Sequence, residues 1–369
     1  MNYLLDKLRV IAEETGVNVL ILSAPDNIEY FTGVPSIGDG VALLIYEAKA
    51  DATALYVPLL EYHRYRDILP QTVNVYAVSK SIKSTDIPVV ELDWGEIIGK
   101  YKEFGKIGVD LSHQSPIYKT IYNAVGGGVV DVSDRIWKIR MIKSNDEIES
   151  ISEAVKVTLR GIVAVYAGLH EGVTEASLTG LFEKTVRENG VEKLAFDPII
   201  VFKPNNAYPH ALPSKKALGS RDLVLVDVGV KVNGRCSDVT RMITWRRPSK
   251  EEKASIEAVI EALDAAIDTL KPGVKASEVY EASVKVLDRY GLKNRFIHGL
   301  GHGVGIVVHE PPYLRAGSNT ILEPGMVVTV EPGVYFPGKY GVRVEELVVI
   351  TKKGGRVLSR GVDKVLHAL

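Results

Sequence analysis

The chain has 369 residues, 45 of them basic and 46 acidic, for a net charge of −1 with no long run of either sign. That length exceeds what one hydrophobic core usually supports, so two domains are expected, and the balanced charge leaves no footprint for nucleic acid or a membrane surface. A single cysteine, Cys236, cannot form an internal disulfide, and no apolar run reaches the length a bilayer needs. Asp6, Lys7 and Arg9 in the first turns do not suit a signal peptide, so a cytoplasmic setting is expected.

Taken in chain order, residues 1–133 alternate helical and β-rich runs and read as a smaller α/β domain. Strands are expected at 17–22, 41–46, 52–57 and 106–110, and helices at 4–14, around 61–69 and at 94–104. No cluster of ligand or nucleophile type lies in this stretch. The pattern changes near residue 133, which sets the expected boundary, with residues 134–369 as the second domain. There Ser144 and Glu147 form a capping box that opens a long helix, and Ser249 with Glu252 repeats the device after the basic stretch at 246–250.

The second domain says the same thing twice. Gly172 and Gly190 bracket one helical pattern and Gly273 and Gly291 another, at an offset of 101 residues. Downstream, Leu218, Asp227, Gly229 and Val230 match Leu322, Glu331, Gly333 and Val334 at an offset of 104. Each half carries one carboxylate deep in a β-branched run and a second one a hairpin later, Asp238 and then Glu345. An apolar strand does not normally accept an unpaired ionised carboxylate, because burying it is costly. Four such intrusions in register call for a shared cation, inside a pseudo-two-fold α+β domain.

Asn233-Gly234 is a strong two-residue hairpin signal. With it as the loop, Asp238 lies opposite Gly229, on the face of Asp227, so the two carboxylates become diagonal neighbours roughly 7–8 Å apart at the backbone. An odd-length loop centred near Lys339 would place Glu345 opposite Gly333 in the second hairpin. Cys236 shares the phase of Asp238 and is expected to face the site, though not as a ligand among hard oxygen donors. Four of the eight histidines fall between 210 and 309, three of them (His298, His302, His309) within twelve residues and interleaved with glycines. A phosphate loop is a weak reading of those glycines, since no Lys-Ser/Thr follows them.

These residues carry a resemblance that covers essentially the whole chain. Asp227-Val-Gly, Ser237-Asp238-Val-Thr-Arg241, His298-Gly-Leu-Gly-His302, Val308-His309-Glu310, Glu331-Pro-Gly and Gly341-Val-Arg343-Val-Glu345, together with Asp26-Asn27 through Gly33, resemble the pita-bread creatinase/aminopeptidase-fold metallopeptidases. Within them the prolidase (Xaa-Pro dipeptidase) type is most similar. The resemblance implies a pita-bread catalytic domain preceded by a creatinase-like α/β domain, and a homodimer acting on short proline-containing peptides. It implies five metal ligands, Asp227, Asp238, His302, Glu331 and Glu345, holding two divalent ions, with Asp238 and Glu345 bridging. An oxygen-rich set with one imidazole suits Mn²⁺, Co²⁺ or Zn²⁺, and a water between two such ions is acidified to an attacking hydroxide. Glu331 is the implied general base, His309 and His210 would steady substrate and oxyanion, Arg343 would orient the bridging carboxylates, and His298 stands between a supporting contact and plain packing.

The segment Phe202-Lys203-Pro204-Asn205 departs from the family pattern at a place expected to line the substrate entrance. Two other readings therefore stay beside Xaa-Pro dipeptide hydrolysis. One is an Xaa-Pro aminopeptidase (aminopeptidase P) for longer peptides, the other a binding or chaperone relative of the same fold.

Overall fold

The computed structural model describes residues 2–35, 40–82, 86–111, 117–126 and 128–368, which form two compact units, Met1–Arg140 and Met141–Leu369. The units divide after Arg140, whereas the change of pattern in the sequence lies near 133. The helix Ser133–Met141 spans the interval between those two positions.

In the first unit the alternating runs build a seven-stranded mixed sheet. Its order is Val89–Val90, Val73–Val78, Ala52–Pro58, Leu43–Glu47, Val19–Leu22, Ile107–Val109 and Val129–Asp131. Strand Leu43–Glu47 runs antiparallel to both neighbours and the remaining pairs are parallel. The four strands expected from the sequence are all present, and three more flank them. The helix expected over 94–104 is instead Trp94–Gly99 followed by a 3₁₀ turn at Lys102–Phe104. A capping box at Asp93 and Glu96 starts it. Gly105, at φ +91°, ends the whole stretch in a conformation other residues avoid.

The 26–33 signature has a structural use. Helix Pro25–Thr32 lacks a side-chain cap of its own. The buried Asp110 carboxylate, beyond strand Ile107–Val109, accepts from the Ser23 and Ala24 N–H groups at 2.9 and 3.0 Å and from Asn27 Nδ2 at 3.0 Å. It satisfies amides that would otherwise be orphaned at the helix start. Arg140 in turn ion-pairs with Asp26 and donates to Asn27 Oδ1 at 2.8 Å.

The second unit shows the duplication in its hydrogen bonds. Gly172 N–H donates to Leu218 O and Gly273 N–H to Leu322 O, and Leu218 and Leu322 return bonds to Val173 and Val274. Isolated bridges Thr174↔Ala217 and Lys275↔Ile321 sit beside them, separated by the sequence offsets of 101 and 104. Each half packs a helix pair, Asn145–Ala167 with Glu175–Glu188 and Lys250–Thr269 with Ala276–Arg289, over its own sheet. One core gathers Ile151, Val155, Phe182 and Val226, the other Val259, Leu263, Leu287 and Val328. Each fully buried side chain of this kind contributes about 1.5–3 kcal/mol. Both long helices begin at the expected capping boxes, Ser144–Glu147 and Ser249–Glu252.

The first hairpin keeps the predicted register, with Asp227↔Thr240, Val228↔Val239, Lys231↔Cys236 and Val232↔Arg235. The second does not. Its three-residue loop is centred on Gly338, at φ +73°, and pairs Phe336 with Tyr340 and Gly333 with Arg343. A centre at Gly338 in place of Lys339 moves every partner by two residues. Glu345 therefore shares the register of Glu331, not of Gly333.

Candidate metal centre and its cleft

All five predicted ligands come from strands or strand ends of the second unit. Asp227 lies within Leu223–Val228 and Asp238 just ahead of Val239–Trp245. Glu331 follows Val327–Val330, Glu345 precedes Glu346–Thr351, and His302 sits in Gly301–Gly303. The side chains converge. Ligating atoms of Asp227, Asp238 and Glu345 lie within 4.8 Å of one another, and so do those of Asp238, His302 and His309. Asp238 belongs to both groups. Glu331 Oε1 stands 3.4 Å from His302 Nε2.

Glycines make the convergence possible. A Cβ on Gly229 would meet Ser237 O at 2.2 Å, and one on Gly301 would meet Thr329 O at 2.0 Å. Neither position tolerates a side chain, so the ligand strands approach more closely than side chains would allow.

The electrostatics of the cluster are those of an uncompensated charge. Asp238 is pushed well above the ordinary carboxylate range by burial and then by the charges of Glu345, Asp227 and Glu331. Glu345 is pushed up by burial and by Glu331 and Asp227. Burial works the same way on Glu331, but the hydrogen bond and charge of His302 outweigh it and hold that carboxyl low. The oxygens Asp227 Oδ1 and Glu345 Oε1 are buried without a hydrogen-bond partner among the described residues. His302 Nδ1 is 3.1 Å from Gly303 O, which places one proton there and aims Nε2 at Asp238 (3.6 Å) and Glu331. Burial lowers the His302 pKa, but the hydrogen bond and charge of Glu331 outweigh it and raise the value, so without a cation a proton is favoured on Nε2. A divalent cation fits this donor set: it takes the place of that proton on Nε2 and supplies the missing charge and the missing partners.

The supporting residues are legible in the bonds. Arg343 donates to Asp227 Oδ2 and to Tyr335 Oη, the latter at 2.7 Å. Tyr335 Oη is 3.0 Å from His298 Nε2, and His298 Nδ1 is 2.7 Å from Gly299 O. His298 is thus neutral, with Nδ1–H donating to the carbonyl and Tyr335 donating to Nε2; burial holds its pKa low. Burial also pushes the Tyr335 hydroxyl up to about 12, so it keeps that proton. The Glu345 carboxylate accepts from Thr240 Oγ1 at 2.8 Å, and Thr329 Oγ1 accepts from the His302 N–H at 3.0 Å. Tyr335, Thr240 and Thr329 escaped the sequence reading. Gly333 leaves the room the Tyr335 hydroxyl occupies, since a Cβ there would strike it at 2.5 Å.

A cavity of about 820 Å³ opens over the ligands. His210, His298 and His309 line it with Asp227, Asp238, His302, Glu331 and Arg343, and apolar walls come from Phe196, Ile199, Tyr208 and Ile297. The His309 ring lies 4.2 Å from that of His302, and burial with the neighbouring His302 holds its pKa down to about 4. Two expectations fail here. Phe202-Lys203-Pro204-Asn205 does not line the cavity: Phe202 is core, Lys203 pairs with Glu252, and Asn205 donates to Glu175. Cys236 is buried in the apolar core, with its thiol 3.4 Å from Ile306 O, and does not face the site. Arg235–Cys236 and Val239–Trp245 are separate strands, so the alternation through Asp238 does not carry back to Cys236.

Such a cluster belongs to the metal-dependent hydrolases. Residues 149–352 match metallopeptidase family M24, and residues 5–142 match the Creatinase/Prolidase N-terminal domain. The chain belongs to metallopeptidase family M24, in its two-domain form with the smaller creatinase-like domain first. It is 32% identical to the Xaa-Pro dipeptidase of Pyrococcus furiosus over 360 residues, covering 96% of this chain and 97% of that protein. The prolidase structure from P. furiosus superposes with a TM-score of 0.84 at 30% identity, over 96% of this chain and all of that one. An X-Pro aminopeptidase structure from Thermotoga maritima gives 0.86 at 25% identity, over 99% of each chain.

Proposed function

We propose that the chain hydrolyses Xaa-Pro dipeptides with two divalent cations held by Asp227, Asp238, His302, Glu331 and Glu345, Mn²⁺ or Co²⁺ first and Zn²⁺ third. The carrying observation is Asp238, shared between two groups of ligating atoms, beside orphaned oxygens on Asp227 and Glu345. When bound, such a pair acidifies water and polarises the scissile carbonyl.

The residues do the rest. Glu331 takes the proton of the attacking water as its oxygen bonds the carbonyl carbon, and returns it to the prolyl nitrogen as the C–N bond breaks. That proton is needed because the nitrogen would otherwise have to leave as an amide anion. His309, neutral because its pKa is near 4, offers an N–H to the developing oxyanion, and His210 on the cavity wall steadies the substrate. Arg343 fixes Asp227, and His298 braces Arg343 through Tyr335. The apolar walls suit the proline ring, and the cavity volume lies within the usual span of about 300–1,000 Å³ for small-molecule sites.

Aminopeptidase P activity is the second reading, because the Thermotoga X-Pro aminopeptidase shares the fold as closely as the prolidase does. Protein stripped of metal, then given Mn²⁺ or Co²⁺, is to be tested on Met-Pro, Met-Pro-Ala and Met-Ala-Ala. Metal-dependent release of proline from Met-Pro alone is expected. Cleavage of Met-Pro-Ala but not Met-Pro moves the protein to the second reading. A cytoplasmic homodimer is part of the same proposal, supported by the resemblance and by the single buried cysteine. A monomer in sedimentation would remove the dimer without touching the chemistry.

A further inference from the structure

The loop that brings His302 and His309 into the site rests on a charge pair that the reaction does not use. Glu310 opens strand Glu310–Leu314 directly after His309. Its carboxylate lies 2.9 Å from the Lys143 ammonium, and both side chains are 1% exposed. Lys143 stands just ahead of the capping box of helix Asn145–Ala167, with its own N–H bonded to Gly325 O at 3.0 Å. That end of the pair is therefore anchored.

Residues 304–309 connect Gly301–Gly303 to Glu310–Leu314 without strand pairing, across a register shift between His302 and Gly303. The Glu310 carboxylate fills the space beneath this loop. A Cβ on Gly305 would come within 2.3 Å of Glu310 Oε1, and one on Gly303 within 2.2 Å of Pro311 O. The glycines leave the room that lets a buried carboxylate sit against the loop backbone. His309 opens onto the cavity, and its ring lies 4.2 Å from that of His302, tilted at 59° to it. Its direction then depends on the backbone one residue further on, where Glu310 is locked.

We propose that Lys143 and Glu310 are positioning residues, a buried ion pair that holds the 304–309 loop so that the His309 imidazole faces the substrate. The idea rests on the catalytic part given to His309 above. Breaking the pair from one side leaves a buried charge alone and risks the fold. The double variant Lys143→Met/Glu310→Gln leaves no charge, and Lys143→Arg keeps the pair.

Three readings decide it, each on whichever of Met-Pro or Met-Pro-Ala the protein hydrolyses. Metal content of the double variant is expected to match wild type while kcat falls at least ~10-fold and KM moves by less than ~3-fold, with Lys143→Arg retaining most of the turnover. Adding His309→Ala to the double variant is expected to cost little more, because the group it removes is already misdirected. Losses that multiply would overturn the proposal. So would unchanged kcat in the double variant. A crystal structure of the double variant supplies the readout that needs no activity: the His309 ring is expected to leave its 4.2 Å contact with the His302 ring. A ring that stays in place overturns the positioning role. Full turnover by His309→Ala alone would overturn the part given to His309 instead, and the crystal structure would still decide the pair.

Discussion

The two hairpins of the catalytic unit share an ancestry of pattern but not a geometry. The first turns on Asn233-Gly234 and offers two aspartates in diagonal positions, Asp227 beside Thr240 and Asp238 two residues nearer the loop. The second turns on three residues around Gly338 and offers two glutamates in the same register. Each half also orients the other's ligand. Arg343 of the second half holds Asp227 of the first, and Thr240 of the first half holds Glu345 of the second. A duplicated domain of this kind cannot be divided into working halves, because each half leaves the other's carboxylate without its donor.

The largest effect should follow from removing the ligand both groups share. Asp238→Asn keeps the shape and removes one negative charge. Turnover should fall below detection and metal content below that of wild type, while the circular dichroism spectrum stays native. Retained turnover with unchanged metal content would exclude the two-cation assignment. Next comes the bracing of the first hairpin by the second. Arg343→Lys keeps the charge but cannot hold Asp227 and Tyr335 at once, and removal of such an outer contact typically costs ~10–100-fold in affinity or activity. Titration of stripped protein with Mn²⁺ should show this as weaker binding of one equivalent. The reverse brace is a single neutral donor. Thr240→Val removes one hydrogen bond worth ~1 kcal/mol, so a loss of about 5–10-fold in turnover is expected, measured as kcat with saturating metal. Equal effects for Arg343→Lys and Thr240→Val would show the two halves to be equivalent after all.

Much of this site was legible because its residues break local rules. Asp227, Asp238, Glu331 and Glu345 stand out since carboxylates do not belong in apolar strands, and Asn233-Gly234 sets a register without outside help. Gly338 could have done the same for the second hairpin, because an odd loop needs one residue at positive φ and only glycine takes it easily. Tyr335, Thr240 and Thr329 are ordinary strand residues whose bonds to His298, Glu345 and His302 reach across to other strands or loops, and no local pattern in the sequence marks them. In the first unit, Val73–Val78 carries the alternation that marks a strand. The two residues Val89-Val90 carry no period at all. The entrance assigned to Phe202–Asn205 failed for a similar reason, since Glu175 and Glu252, which tie that segment down, approach it from helices distant in sequence.

The smallest effect separates the charge of Asp238 from its role as a ligand. In protein without metal, burial and the neighbouring carboxylates raise its pKa in the folded state above the unfolded value near ~3.9. A raised value means that the folded state holds the proton more tightly. The stability this contributes is fully present below the unfolded value and is lost as pH rises through the folded one. Asn cannot ionise and suffers no such loss. Stripped Asp238→Asn should therefore gain in Tm on stripped wild type as pH rises from about 4 towards 8. Excess Mn²⁺ should reverse the order at the upper end, because the cation binds the folded wild type better than the variant and stabilises it by mass action. A difference that ignores pH would mean that Asp238 is not held against its charge. A difference that follows pH but does not reverse with Mn²⁺ would leave the repulsion in place and take away the cation that answers it.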